Sequence, residues 1–231
     1  DRSHRDRIVV FGGEDVLLQM AFKNRTLAAG LGKFFRRILY EGKDIDYPGV
    51  DTMPLGLSER YFASGVLHNA SVAIASASLE AKPRNILAAW NVYFGLSHKD
   101  RRQAHAWATS EFGRRAGVTH KNHHPRAWWD ELAKHRFLMV PDGSRIQVYK
   151  TTEALLVLTV PIFKRSGGVA HDELARFGFP IVVVNEWFEI TPIRMSIWWH
   201  SLAPRLEGFR RNCLTTEAYW RLITGVAKHC E

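Results

Sequence analysis

The chain contains few cysteines and no long hydrophobic run. Its 231 residues include only Cys213 and Cys230, which excludes a framework of several disulfides but leaves open either one bridge or two reduced thiols. No run of about 18 apolar residues is present, so we expect no membrane span in this chain. The opening sequence, DRSHRDR, does not resemble the apolar part of a signal peptide. We therefore expect any targeting or anchor segment to lie outside this sequence.

The composition is that of a folded, basic protein. Hydrophobic residues make up 46% of the chain and aromatic residues 12%, which excludes wholesale disorder. The formal net charge of +9 predicts attraction to acidic partners such as nucleotide diphosphates, polyanionic glycans, nucleic acid or membrane headgroups. Charge alone does not choose among these partners. The length suffices for one large domain or for one domain with an incomplete neighbour.

Predicted strands and helices alternate along the chain. Short apolar runs bounded by glycine, proline and polar residues predict strands near residues 8–11, 50–57, 85–90, 137–140, 160–163 and 180–184. Helices are predicted near residues 98–112, 125–134, 148–158 and 171–177 and near the C-terminus, and residues 17–39 have helix-compatible spacing interrupted by glycines. This alternation predicts an α/β fold, in which a Rossmann-like parallel sheet carries helices on both faces.

The segment between Arg136 and Lys164 is the most informative part of the sequence. A buried strand at residues 137–140 is followed by a polar loop containing Gly143, then by a helix, and then by a second buried strand. In open α/β sheets, ligands bind in the crevice outside the carboxyl ends of the strands. The unpaired backbone N–H groups at a helix start favour an anion there, typically a phosphate.

The segment contains a strand ending in Pro-x-Gly, a basic residue, Glu-Ala-Leu and a strand with Val-Pro-Ile. These motifs comprise Pro141, Gly143, Lys150, Glu153, Ala154, Leu155, Val160, Pro161 and Ile162. In these residues the segment resembles the C-terminal, nucleotide-sugar-binding half of the exostosin-like glycosyltransferases. Family members usually carry arginine where this chain has Lys150, and often serine where it has Val148.

The resemblance implies a GT-B type arrangement of two halves. Residues 81–231 are expected to form the nucleotide-sugar-binding, Rossmann-like domain. Residues 1–80 are expected to form a partial N-terminal α/β half on the acceptor side. They are too few for a complete second domain of this kind, so we expect the N-terminal half to be incomplete.

The activity implied by the resemblance is that of an inverting hexosyl- or pentosyltransferase. It would transfer a sugar from a nucleotide-sugar donor, most simply a UDP-sugar, to a glycan or glycoprotein acceptor. No obligatory cofactor or metal is expected, because fixed cations can offset the charge on the leaving diphosphate. The histidines within residues 120–124 lack the pattern of a zinc site and are expected to be loop residues. By the same resemblance, the expected location is the Golgi or secretory-pathway lumen.

The predicted donor site comprises Gly143, Ser144, Arg145, Lys150 and Glu153. Lys150 and Glu153 share one face of the predicted helix, because they lie three residues apart. The resemblance implies that Lys150 offsets diphosphate charge and that Glu153 accepts hydrogen bonds from ribose hydroxyls. A surface ion pair is the alternative for these two residues. Arg145 is able to hold a phosphate through its planar guanidinium, and a solvated loop arginine is its alternative.

Further carboxylates follow two of the predicted strands. Glu14 and Asp15 come after the first strand, where a carboxylate can act as the base that deprotonates an acceptor hydroxyl. Acidic residues that begin a helix are the simpler explanation for this pair. Glu186 follows the strand near residues 180–184, at a strand end where such sheets bind ligands, and a polar loop is its alternative.

A non-catalytic role is the second hypothesis. The short N-terminal half is compatible with a glycosyltransferase-fold subunit that acts as a structural or binding component of a larger assembly. Its basic surface would then contact RNA, lipid or an acidic protein. No recognised nucleic-acid-binding motif is present, and the basic residues are interspersed rather than clustered.

Overall fold

The computed structural model describes residues 6–12, 16–22, 26–58, 65–91, 98–143, 145–165 and 168–230. The strands within these ranges are β1 (Ile8–Phe11), β2 (Arg37–Tyr40), β3 (Val50–Thr52), β4 (Arg84–Ala88), β5 (Val118–His120), β6 (His135–Met139), β7 (Val160–Lys164) and β8 (Val182–Val184). The helices are α1 (Leu18–Ala21), α2 (Thr26–Leu31), α3 (Leu67–Ser76), α4 (His98–Thr109), α5 (Glu111–Arg115), α6 (Pro125–Ala133), α7 (Lys150–Leu156), α8 (Ala170–Arg176), α9 (Pro192–Cys213) and α10 (Thr216–Thr224).

The strands form two parallel sheets. The first contains three strands in the order β1-β2-β3, and the second contains five in the order β5-β4-β6-β7-β8. Every strand pair in both sheets is parallel. Helices connect successive strands of the larger sheet, as is usual for parallel crossovers, whereas β2 and β3 are joined by turns alone. The predicted α/β class is therefore confirmed, and the five-stranded sheet with its helices is Rossmann-like.

The order of the five-stranded sheet creates a crevice between β4 and β6. The chain leaves β4 toward β5 on one side, whereas it leaves β6 toward β7 on the other. The loops that follow β4 and β6 therefore separate at the carboxyl ends of these strands. This switch point is where open α/β sheets bind their ligands.

The central strands of the larger sheet form the main core. Leu87 of β4, Leu138 of β6 and Ile162 of β7 have no solvent exposure. Such strands are covered on both faces, which explains why they read as continuous apolar runs. Burying each of these side chains contributes roughly 1.5–3 kcal/mol relative to leaving it exposed. A smaller apolar cluster around Tyr40 belongs to the three-stranded sheet.

Two strands differ from the prediction based on sequence periodicity. β2 at Arg37–Tyr40 falls at the end of a stretch whose spacing is compatible with a helix, and only the short α1 and α2 are helical there. β5, at the sheet edge, has three partly buried residues and carries no clear strand pattern. The helix predicted near residues 148–158 is shorter and spans Lys150–Leu156.

A buried lysine joins three strands at their amino-terminal ends. The Lys82 amine donates hydrogen bonds to the carbonyl oxygens of Ala133 (2.8 Å), His135 (3.1 Å) and Val157 (2.9 Å). It also donates to the Thr159 hydroxyl at 3.1 Å. Burial is the main reason why the pKa of Lys82 falls to about 7. The amine of Lys82, which precedes β4, thus bridges buried acceptors at the starts of β6 and β7, where the Thr159 hydroxyl also donates to the His135 carbonyl oxygen at 2.8 Å.

We predict that Lys82→Met destabilises the protein by about 2–4 kcal/mol, because the apolar side chain leaves several buried acceptors without a donor. Urea unfolding at pH 6, where the amine is charged, measures the change. Lys33→Met is the matched control, since Lys33 is exposed. An equal unfolding midpoint for the two variants would contradict the prediction.

Candidate functional site

Arg101 joins the two loops at the switch point of the larger sheet. Its guanidinium donates to the Asp142 carbonyl oxygen at 2.9 Å, in the loop after β6. It also donates to the Asn91 carbonyl oxygen at 3.0 Å, in the loop after β4. Asp100 accepts a hydrogen bond from the Asp142 backbone N–H at 3.1 Å. The start of α4 therefore holds both loops at the floor of the crevice.

Lys150, the first residue of α7, points toward this switch point. Its amine donates a hydrogen bond to the Ala89 carbonyl oxygen, directly after β4. The same amine lies 4.9 Å from the centroid of a Trp128 ring, which is a cation–π distance. Burial lowers the pKa of Lys150 to about 8, and the nearby Glu153 carboxylate opposes this shift. A cation buried in this way attracts an anion strongly, because little water screens it.

Glu153 lies beside Lys150 on the same face of α7. Its side chain is buried and accepts a hydrogen bond from the Trp128 indole N–H at 2.6 Å. Trp128 therefore contacts both charged residues, through its ring face and through its N–H. Glu153 is buried and Lys150 is partly buried, so Glu153 does not belong to a pair on the open surface.

Gly143 and Arg145 occupy the loop that precedes α7. A Cβ atom on Gly143 would lie 3.1 Å from the Arg101 guanidinium and 3.2 Å from Val148, so a larger residue would crowd the loop. The Arg145 guanidinium forms an ion pair with the Glu41 carboxylate at 3.0 Å. The alternative of a solvated loop arginine is therefore wrong. Ser144 lies outside the described residues.

Glu41 brings the edge of the three-stranded sheet to this loop. It follows β2 directly and its side chain is 4% exposed. The Gln147 amide nitrogen donates to the carbonyl oxygens of Glu41 and Met53, both at 2.8 Å, and its oxygen accepts from the Leu55 N–H at 3.2 Å. The carboxyl ends of β2 and β3 thus lie against the loop that begins α7. Glu14 and Asp15, which follow β1, lie outside the described residues.

A second buried contact joins the two sheets. The Lys43 amine lies 2.5 Å from the Glu173 carboxylate on α8. The other Glu173 oxygen accepts a hydrogen bond from the Thr52 N–H at 2.9 Å, at the end of β3. Charge-assisted hydrogen bonds of this kind contribute more than neutral ones. They attach α8 to the same edge of the smaller sheet.

Glu186 precedes Trp187, whose indole N–H donates to the Asp100 carboxylate of α4 at 3.0 Å. Glu186 follows β8, whereas the switch point lies between β4 and β6, on the other side of β7. Its carboxylate pairs with Lys164 at 2.9 Å and is half exposed. It also caps the short 3-10 helix Trp187–Glu189. Its charge is close enough to help raise the pKa of Asp100, although burial is the main cause, so Glu186 lies near the start of α4.

A cavity of about 530 Å³ lies on the other side of α7. It is mainly apolar and is bounded by residues 56–57, by Thr152 and Leu156 of α7, and by Tyr219 and Trp220 of α10. Lys150 and Glu153 are not part of its lining. The helix therefore presents a charged face to the switch point and a mainly apolar face to this cavity.

Two of the three histidines of residues 120–124 have local partners, whereas His123 Nε2 is buried without a hydrogen-bond partner. His120 is the last residue of β5, so the expectation that it is a loop residue is wrong. His120 Nε2 lies 3.3 Å from His105 Nδ1, and His124 accepts a hydrogen bond from the Arg126 N–H at the start of α6. Within the described ranges, no group of three or more His, Cys, Asp or Glu side chains is arranged to hold a metal ion. In those same ranges, no helix has the length and apolar character needed to span a membrane.

Comparison with protein-family models finds no family that matches the chain, and comparison with curated proteins finds no match. The similarity to exostosin-like glycosyltransferases therefore stays a prediction based on the residues of the segment between Arg136 and Lys164.

We predict that Arg145 and Glu41 stabilise each other by about 1–2 kcal/mol, because the pair is largely shielded from water. Urea unfolding of Arg145→Gln, Glu41→Gln and the double variant measures this coupling. The double variant is expected to lose less stability than the sum of the single variants. Additive losses would show that the ion pair contributes nothing.

Proposed function

We propose that this protein is a glycosyltransferase of exostosin-like type that transfers a sugar from a UDP-sugar to a glycan or glycoprotein acceptor. The supporting observation is that the partly buried Lys150 and the buried Glu153 lie together beside the crevice between β4 and β6. The fold alone does not carry the proposal, because Rossmann-like folds host many functions. The pair supplies a cation and a carboxylate where such folds bind nucleotides.

Lys150 is proposed to bind the donor diphosphate. Its amine contacts a neutral carbonyl oxygen of Ala89, and phosphate oxygens are stronger acceptors for an ammonium group. Helix α7 has only seven residues, so the side-chain charge rather than the helix dipole carries the attraction. In the reaction, the same charge stabilises the diphosphate as it leaves.

Glu153 is proposed to accept hydrogen bonds from the ribose hydroxyls. A carboxylate accepts through two oxygens, and the Trp128 indole N–H orients one of them. Gly143 keeps the loop before α7 compact, so that its backbone is able to approach the donor closely. Ser144 and Arg145 belong to the same loop in this proposal, with Arg145 exchanging Glu41 for a phosphate oxygen.

The three-stranded sheet is proposed to present the acceptor. An acceptor hydroxyl oxygen attacks the anomeric carbon, the bond from that carbon to the diphosphate oxygen breaks, and a carboxylate takes the hydroxyl proton. Displacement from the opposite side inverts the anomeric centre. Glu14 and Asp15 stay the predicted bases, and Glu41 is a described carboxylate at the same edge of this sheet, since β1 pairs with β2.

A non-catalytic binding subunit is the alternative proposal. One observation favours it: the Lys150 amine and the Glu153 carboxylate contact protein groups and do not line the cavity beside α7. In that case the buried charges only fix the position of α7. The basic surface would then contact RNA, lipid or an acidic protein within a larger assembly.

We predict that UDP binds and that Lys150→Met and Glu153→Gln each weaken binding about 10-fold to 100-fold. Each substitution removes a charge-assisted hydrogen bond, which contributes about 1.5–3 kcal/mol. Titration calorimetry with UDP measures affinity, and hydrolysis of a panel of UDP-sugars identifies the sugar. Lys33→Gln is the control for a general loss of positive charge. A folded protein that binds no UDP would favour the non-catalytic alternative.

We also predict that UDP affinity falls about tenfold between pH 7 and pH 9. The free protein loses the Lys150 proton as the pH rises through its pKa of about 8, whereas bound diphosphate favours the protonated amine. Binding therefore takes up a proton above that pKa and weakens as pH rises. Lys150→Arg keeps its charge over this range, so its affinity should be independent of pH. An equal decline in both proteins would exclude Lys150 as the diphosphate ligand.

A further inference from the structure

The two cysteines of the sequence meet in the core of the protein. Cys213 is the last residue of α9, and Cys230 lies after α10 near the end of the chain. Both side chains are buried in the same hydrophobic cluster. The Cys230 side chain is close enough to contribute to the raised pKa of the Cys213 thiol, after the larger effect of burial. The two side chains therefore lie near each other in the core.

Backbone contacts fix the position of Cys230. Its N–H donates to the Phe177 carbonyl oxygen at 2.7 Å, at the end of α8. Its own carbonyl group lies against Gly178, where an added Cβ would lie 2.0 Å from the Cys230 oxygen. Gly178 also has a φ of +94°, which a residue with a side chain adopts only with strain. The contact of the thiols therefore follows from a fitted backbone arrangement and not from a surface loop.

The surroundings of the pair do not suit a nucleophile or a metal ligand. Both roles require a thiolate, and burial raises the pKa of the Cys213 thiol. Two neighbouring, buried thiols are instead suited to a covalent bond between them. The environment is apolar, so a disulfide fits it better than a charged sulfur does.

We propose that Cys213 and Cys230 form a structural disulfide when the protein folds in an oxidising compartment. The oxidant is the disulfide form of a thiol–disulfide oxidoreductase or oxidised glutathione. The bond between the two Sγ atoms forms, the disulfide of the oxidant breaks, and its two sulfurs take up the two electrons and two protons. This inference does not rest on the proposed glycosyltransferase activity.

The bridge forms during folding and then persists. In the folded protein both thiols are buried, so exchange with an external disulfide is slow. While the chain is still folding, both thiols are accessible. The completed bond closes a loop that contains α10, the helix that provides Tyr219 and Trp220 to the cavity beside α7. It thereby restricts the unfolded chain and holds α10 in place.

The test compares protein refolded in a glutathione redox buffer with protein refolded in a non-thiol reductant. After denaturation, the oxidised sample should contain no thiol that reacts with an alkylating reagent. Its intact mass should be lower by two hydrogen atoms, and digestion should release a peptide pair joined through Cys213 and Cys230. Its melting temperature should exceed that of the reduced sample by about 5–10 °C.

Two variants control for effects of oxidation elsewhere. Cys230→Ala and the double variant Cys213→Ala/Cys230→Ala should melt at the same temperature in both buffers. Two reactive thiols in the oxidised, denatured protein would overturn the proposal. A disulfide that joins two chains instead of closing one loop, or an oxidised form that melts no higher than the reduced form, would also overturn it.

Discussion

The arrangement of this protein depends on the three hydrogen bonds made by one buried amide, that of Gln147. This side chain bonds to backbone groups at the ends of β2 and β3 and lies three residues before α7. A buried amide with fewer partners would cost free energy, so the loop and the smaller sheet have one favourable relative position. The orientation of α7, and with it the direction of Lys150 and Glu153, follows from that position.

The two faces of α7 separate two kinds of chemistry. One face directs Lys150 and Glu153 toward the crevice of the larger sheet, where Trp128 contacts both. The opposite face contributes Thr152 and Leu156 to a mainly apolar cavity. One short helix therefore contributes charged side chains to the crevice and mainly apolar lining to the cavity. A shift of this helix would change both sites together, because its residues cannot move independently.

The sequence was sufficient to predict the central strands but not the edges. β4, β6 and β7 are covered on both faces, so their apolar runs are visible without knowledge of their neighbours. β2 is a strand because it pairs with β1 and β3. β1 is distant from it in sequence, and β3 follows it after a turn. Glu41 was missed for the same reason, since its position depends on β2 being recognised. Lys150 and Glu153 were predictable because their spacing is local, whereas their contact with Trp128 is not.

The hydrogen bonds of Lys82 set a limit on how the chain can be divided. This residue precedes β4, and its amine donates hydrogen bonds to groups at the starts of β6 and β7. A fragment that begins at Arg84, the first residue of β4, would lack Lys82 and these hydrogen bonds. Any truncated or permuted version meant to preserve the five-stranded sheet must therefore place its new end upstream of position 82.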